Sequence, residues 1–354
     1  MPSTTWRAGL ALLALCWLTT ATGQNTKADI AEVDRLKAQQ QRQQVQPLNN
    51  APVWREIRSG QTQTTQVRGR ETAVLIQSEG ETWRAARVPM ATAGGILMGV
   101  VLLGLIGFFL WRGPIGVHGE PTGRVIERFT PVKRITHWSI AITFVLLAVT
   151  GLILTFGKNL LLPLIGYTLF AWLAVAAKNV HNFVGPVFSI VLPVMILLFI
   201  KDNLPRSYDV QWVKRFGGML DRSGSTHVPS GKFNAGEKAL FWALVVVLST
   251  VLVISGYVLN FPNFNQSRQT MQVANMVHSI AAMLGVAMVM FHIYLGTIGM
   301  RGAYQAMRHG YVDETWAREH HEYWYNDVMS GREPGAETEA PPLHPPPGVS
   351  HRPA

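Results

Sequence analysis

The hydrophobic residues of this chain fall into long runs separated by short polar stretches. The first run, Ala8 to Leu18, follows Arg7 and gives way to small residues from Thr19 to Gly23. That layout predicts a secretory signal over 1–23, cleaved after Gly23. A polar, Gln-rich segment covers 24–88, with Trp54 and the run Ala73 to Ile76 as its main apolar features. A short helix is expected there near 28–45, on the outer side of a membrane.

Five apolar runs follow, at 91–111, 138–156, 161–200, 239–259 and 273–298. Each has the roughly 20 apolar residues needed to cross a bilayer. The run 161–200 is divided by KNVHN and reads as either one or two crossings. Charge decides between them. Segment 112–134 carries Arg112, Arg124, Arg128, Lys133 and Arg134. Segment 201–238 carries Lys201, Arg206, Lys214, Arg215, Arg222, Lys232 and Lys238. Lys and Arg gather on the cytoplasmic side, so both segments belong there and 161–200 crosses once. Residues 161–177 are then an interfacial or partly re-entrant lead into one long helix ending near Ile200. The loop 259–270 carries only Arg268 and faces outward. The tail 301–354 starts with Arg301, Arg308 and Arg318, lies inside, and ends in a Pro-rich stretch expected to be disordered.

The pattern predicts an all-α integral membrane protein, a helical bundle with five transmembrane helices in the mature chain, in a bacterial inner membrane. Its parts are the signal (1–23), a periplasmic segment (24–88), an extra N-terminal span (89–112), a four-helix domain (113–300) and a cytoplasmic tail (301–354). Charged residues make up 15% of the 354, against about 25% in soluble domains. The net charge of +10 is parcelled into short loops, which argues against a nucleic-acid partner. The single cysteine, Cys16, falls in the signal. It leaves no disulfide, no Cys-ligated iron–sulfur cluster and no attached c-type haem.

Metal chemistry must therefore use histidines or carboxylates. Four of the 11 histidines lie in or at the edges of spans: His137, His181, His278 and His292. An ionisable residue inside a membrane helix is costly and marks a functional site by default. His278 and His292 are 14 residues apart, which is 40° short of four turns, so they share a helix face about 21 Å apart. His137 matches the depth of His292 near the inner surface, and His181 that of His278 near the outer. Two imidazole pairs at two depths suit two stacked b-type haems. Bis-His iron has no open position, which favours electron transfer. Gly185, Gly285 and Gly296 lie nearby and leave room for a flat ring. The adjacent His320 and His321 point different ways on a helix and read as a solvated or subunit-contacting surface.

The runs RFTPVKRITHW, KNVHNFVGP and MVHSIAAMLGVAMVMFHIYLG, with GKFNAGEKALFW at 231–242 and WAREHHEYWY at 316–325, resemble the di-haem cytochrome b (gamma) subunit of membrane-bound formate dehydrogenases. The resemblance covers about 124–326; residues 1–120 extend beyond the shortest members, which have four spans. It implies that His137 and His292 hold the inner haem iron and His181 and His278 the outer one. It places the quinone pocket (menaquinone or ubiquinone) at Asn234 and Gly236, beside His292. Read from the residues alone, Asn234 is a helix N-cap with Glu237 at N3, and both roles are compatible. The implied partners are an iron–sulfur subunit and a molybdenum- or tungsten-containing catalytic subunit that oxidises formate. The implied path runs from the iron–sulfur partner through both haems to quinone. Two alternatives fit parts of the pattern. One is the cytochrome b of a hydrogenase or other respiratory oxidoreductase, against which the loop 231–242 argues. The other is a haem-free transporter or scaffold, which would purify colourless.

Overall fold

The computed structural model describes residues 34–36, 55, 58–59, 79–222, 226, 228–333 and 337–339. The expected signal, most of the 24–78 segment and the Pro-rich end lie outside the described residues. The chain divides into two compact units, Met1–Glu81 and Thr82–Ala354, and the second holds the membrane helices.

Among the described residues five helices are long and apolar enough to cross a membrane. They are α1 (Glu79–Arg112), α2 (Pro131–Leu160), α3 (Leu162–Phe199), α5 (Ala235–Asn260) and α6 (Arg268–Gly299). A short α4 (Asp209–Lys214) precedes α5. The run 161–200 thus contains one long rod that crosses once. Its one interruption is Gly166, whose left-handed φ of 76° turns the chain before the long rod begins. Pro186 and Pro193 sit within that rod, as membrane helices tolerate when neighbours re-satisfy the freed backbone groups.

Each start has a local cause. Pro131 opens α2 at the position where its missing N–H costs nothing. Asn234 and Glu237 close a reciprocal capping box on α5, with Asn234 Oδ1 accepting from Glu237 N at 3.0 Å and Glu237 Oε2 from Asn234 N at 2.8 Å. Ser267 caps α6 through Thr270 N. Two π-helical turns interrupt the rods, Phe241–Leu248 in α5 and Leu295–Gly299 in α6.

The helices pair in chain order, α2 on α3 and α5 on α6, with α3 joining the two pairs through α5. α1 leans on α6. Gly94 sits against Met283, and Phe108 and Phe109 meet the Tyr294 ring edge-on. Large apolar side chains such as Leu103, Leu110, Trp172 and Leu197 face outward. On a soluble protein such a surface would be an aggregation liability; here it faces lipid.

The connections 113–130, 200–234 and 300–333 gather into a folded cap at one end of the bundle. Its centre is a strand β1 (Arg124–Glu127), antiparallel to β2 (Tyr311–Asp313) and to β3 (Glu337–Glu339). Three short helices surround it, α7 (Ala303–His309), α8 (Glu314–His320) and α9 (Glu322–Met329). Ile126, Phe129, Trp316, Ala317, Trp324 and Val328 form its core. Ion pairs Lys133–Asp202 and Arg128–Glu237 tie the cap to the helix ends. The three basic connections therefore share one side of the bundle, as the crossing count requires.

His320 and His321 do not form the surface that their spacing suggests. His321 does not lie on a surface: it is 2% exposed, its Nδ1 is 2.7 Å from the Gly231 carbonyl, and its ring packs on Trp316. The turn between α8 and α9 points it inward, which helical spacing through 316–325 does not foresee.

Candidate functional site

The four membrane histidines come together as two pairs. His137, in the second turn of α2, faces His292 near the end of α6, with ring centres 6.0 Å apart. His181 on α3 faces His278 on α6 with ring centres 6.1 Å apart. A metal–imidazole bond of about 2.0–2.1 Å, the zinc value, plus ~1.1 Å from nitrogen to ring centre, puts two trans ligands ~6.3 Å apart. Both pairs match that span. The pairs are 14 residues apart along α6, about 21 Å.

The surroundings also suit a flat metal-bearing ring. Gly151 and Gly256 lie against the outer pair. A Cβ on Gly151 would come within 3.4 Å of His181 Cε1, and one on Gly256 within 3.3 Å of His278 Cε1. His181 Nδ1 is 2.9 Å from Thr150 Oγ1, and His278 Nδ1 is 3.0 Å from Ser255 Oγ. At the inner pair, His137 Nδ1 is buried with no hydrogen-bond partner among the described residues. The glycines singled out in the sequence behave differently. Gly185 and Gly296 face open space, and Gly285 packs on Phe144 and Leu244. Of the three, Gly296 lines the cavity of the inner pair.

That cavity holds about 1450 Å³ and opens between the bundle and the cap. It exceeds the ~300–1,000 Å³ of a single small-molecule pocket, which leaves room for a large cofactor and a second ligand. His137 and His292 line it from the membrane side, and Asn234, Gly236 and Glu237 from the α5 start. The capping box occupies Asn234 Oδ1, so the amide nitrogen remains as a donor. Gly236 is glycine for packing reasons as well: a Cβ there would meet the Trp212 indole at 2.8 Å.

Sequence reasoning missed two residues of this wall. Arg128 is 4% exposed. It donates to the Lys232 carbonyl at 2.7 Å and to Glu237 at 3.2 Å, between the rings of Phe129, Phe233 and Trp316. Burial lowers its pKa and Glu237 opposes that shift. His321 is the other. Burial drives its imidazole well below the usual range, and Arg128 adds to this. It is neutral at pH 7, donating from Nδ1 to Gly231 and keeping Nε2 as an acceptor. The only signal for either was position, Arg128 opening RFTPVKRITHW and His321 within WAREHHEYWY.

Residues 128–310 match the family described as prokaryotic cytochrome b561. The cytochrome b556(fdo) subunit of formate dehydrogenase from Escherichia coli strain K12 is 33% identical over 217 residues, covering 60% of this chain and 97% of that protein. The formate dehydrogenase cytochrome b556 subunit of Haemophilus influenzae is 28% identical over 214 residues, 58% of this chain and 84% of that protein. The nitrate-inducible cytochrome b556(Fdn) subunit of Escherichia coli strain K12 is 25% identical over 213 residues, with 92% of it covered. With half its length matched to the family and nearly the whole of one relative aligned, the chain belongs to the prokaryotic cytochrome b561 family, alongside the formate dehydrogenase cytochrome b556 subunits.

Proposed function

We propose that the chain is the membrane anchor and quinone-reducing subunit of a formate dehydrogenase complex, carrying two b haems. The observation that supports this most is the pair of facing imidazoles at each of two depths, 6.0 and 6.1 Å between ring centres. His137 and His292 would hold the inner haem, and His181 and His278 the outer. Iron held by two imidazoles supplies one-electron transfer with no open position for oxygen.

The remaining steps belong to the chain's own residues. Four histidines set the two sites at two depths of the bundle, about 21 Å apart, so charge moves across the membrane rather than along its surface. The Asn234 amide donates to a quinone carbonyl, and the α5 N-terminus favours negative charge developing on that oxygen. Glu237 stands three residues on, with Arg128 against it; the pair places a carboxylate and a fixed cation beside the reacting head group. The cap shields this end of the cavity. With the cap on the cytoplasmic side, where its basic connections belong, protons for the quinone come from the cytoplasm. Electrons come from an iron–sulfur partner on the periplasmic side. Formate oxidation belongs to a molybdenum- or tungsten-containing partner, and the quinone is menaquinone or ubiquinone. The relatives are formate dehydrogenase subunits, which supports formate as the substrate of the complex.

The test is genetic and kinetic. Membranes lacking this chain should lose formate-dependent quinone reduction. The wild-type chain should restore it and His292→Ala should not. Full formate-to-quinone activity with His292→Ala would refute the assignment.

A further inference from the structure

We propose that Thr150 and Ser255 are a matched pair of positioning residues, holding the two outer imidazoles in the tautomer and orientation that iron requires. The inference rests on the two-haem reading above and goes beyond it.

The hydrogen bonds themselves fix the direction. Each hydroxyl has one proton. Thr150 Oγ1 donates it to the Leu146 carbonyl at 2.7 Å, and Ser255 Oγ donates to the Val251 carbonyl at 2.6 Å. Both are the back-bond to residue i−4 usual for hydroxyls in membrane helices. With that proton committed, each oxygen can only accept from the nearby ring. Nδ1 of His181 and of His278 must then carry the hydrogen, at 2.9 and 3.0 Å. The other ring nitrogen, Nε2, keeps its lone pair for a metal. The next residue in each case is the glycine, Gly151 or Gly256, that leaves the ring edge free.

The two devices occupy equivalent places in an internal repeat. RFTPVKRITHW begins at 128 and KFNAGEKALFW at 232, 104 positions on; both put an N-cap, Thr130 or Asn234, at the third place. TGLILTF begins at 150 and SGYVLNF at 255, 105 positions on. The one extra residue falls across the π-helical turn Phe241–Leu248. On the second helix of each repeat the offset is 97 when His181 is set against His278, and the same offset sets Met195 against His292. The outer site is thus built twice from the same parts. The inner site is not. The repeat counterpart of His137 is Phe241 and that of His292 is Met195, and both are buried in one apolar core. His137 Nδ1 has no partner among the described residues. A hydrogen bond donated by the ligand's free nitrogen raises its basicity and so favours ferric iron. The two hydroxyls would therefore bias an iron held by His181 and His278 toward the ferric state.

The experiment is a redox titration of both haem signals in the purified holoprotein, with haem counted per chain. Ser255→Ala and Thr150→Val should each shift the outer haem's ferric/ferrous preference toward ferrous by about tenfold, ~59 mV upward for one electron, or release that haem. The inner signal should stay put. Ser255→Thr and Thr150→Ser keep a hydroxyl and should titrate as wild type. Ser255→Ala removes a single oxygen and decides the matter alone if Thr150→Val fails to accumulate. Two haems at wild-type potentials in Ser255→Ala would overturn the proposal while leaving the two-haem reading intact. A wild-type chain without an outer haem would instead overturn that reading.

Discussion

Asn234 carries two loads that a pair of substitutions can separate. Its Oδ1 caps α5 at 3.0 Å from Glu237 N, and its amide nitrogen is the donor left for a quinone carbonyl. Asn234→Ala removes both. Losing an N-cap costs about 1 kcal/mol, which a 26-residue helix packed on its neighbours survives. Losing one neutral hydrogen bond to the quinone costs about 0.5–1.5 kcal/mol, or roughly a 2–13-fold fall in kcat/KM. Asn234→Ser restores the cap, since Ser caps as well as Asn, but its hydroxyl is too short to serve cap and quinone together. The assay is quinone reduction by the detergent-purified complex over a range of soluble quinone, with thermal stability measured alongside. Ala should lower both stability and kcat/KM; Ser should recover stability and leave kcat/KM low. Haem content should not change in either. If Asn234→Ala lowered stability and left kcat/KM at wild type, Asn234 would be a cap and nothing more.

Other outcomes follow from the same structure. His278→Ala should remove the outer haem and spare the inner, and His292→Ala the reverse, as read from haem per chain and the reduced spectrum. Arg128→Met should leave the Lys232 carbonyl and Glu237 without their buried donor, costing about 1–3 kcal/mol and visible as a lower Tm. His321 has its pKa lowered by burial, so the unfolded chain binds the extra proton. Its contribution is complete above an unfolded pKa of about 6.5 and declines as pH falls below that value. His321→Gln should flatten the stability of the cap between pH 6.5 and 5, seen by hydrogen exchange. Glu314 is held below the usual carboxylate range by the Tyr325 hydroxyl at 2.6 Å and by Arg124. It should add a second loss below about pH 4.3, absent in Glu314→Gln.

Much of this molecule can be read along the chain because a bilayer imposes local rules. Twenty apolar residues make a span regardless of what lies elsewhere, and loop charge counts the crossings, so the single passage of 161–200 is legible. The pairing of His278 with His292 on one helix face follows from 3.6 residues per turn. The capping box at Asn234 is local too. What escapes is what depends on distant partners. β1 and β2 join residues 124–127 to 311–313, and strands of three or four residues inside polar connections have no period to announce them. The burial of Arg128 and His321 exists only once the cap closes over them. Gly151 and Gly256 look like any membrane glycine until α3 and α6 bring a histidine ring against each. Thr150 and Ser255 are equally ordinary until His181 and His278 arrive.

Two pairs of facing imidazoles lie in one bundle. The most direct measurement is a reduced-minus-oxidised absorption spectrum of the purified chain, with haem quantified against protein. Two b-type haems per chain, both low-spin and unreactive to carbon monoxide, is the predicted result, since two imidazoles would hold each iron and leave it no open position. A single haem, or a haem that binds carbon monoxide when reduced, would contradict it.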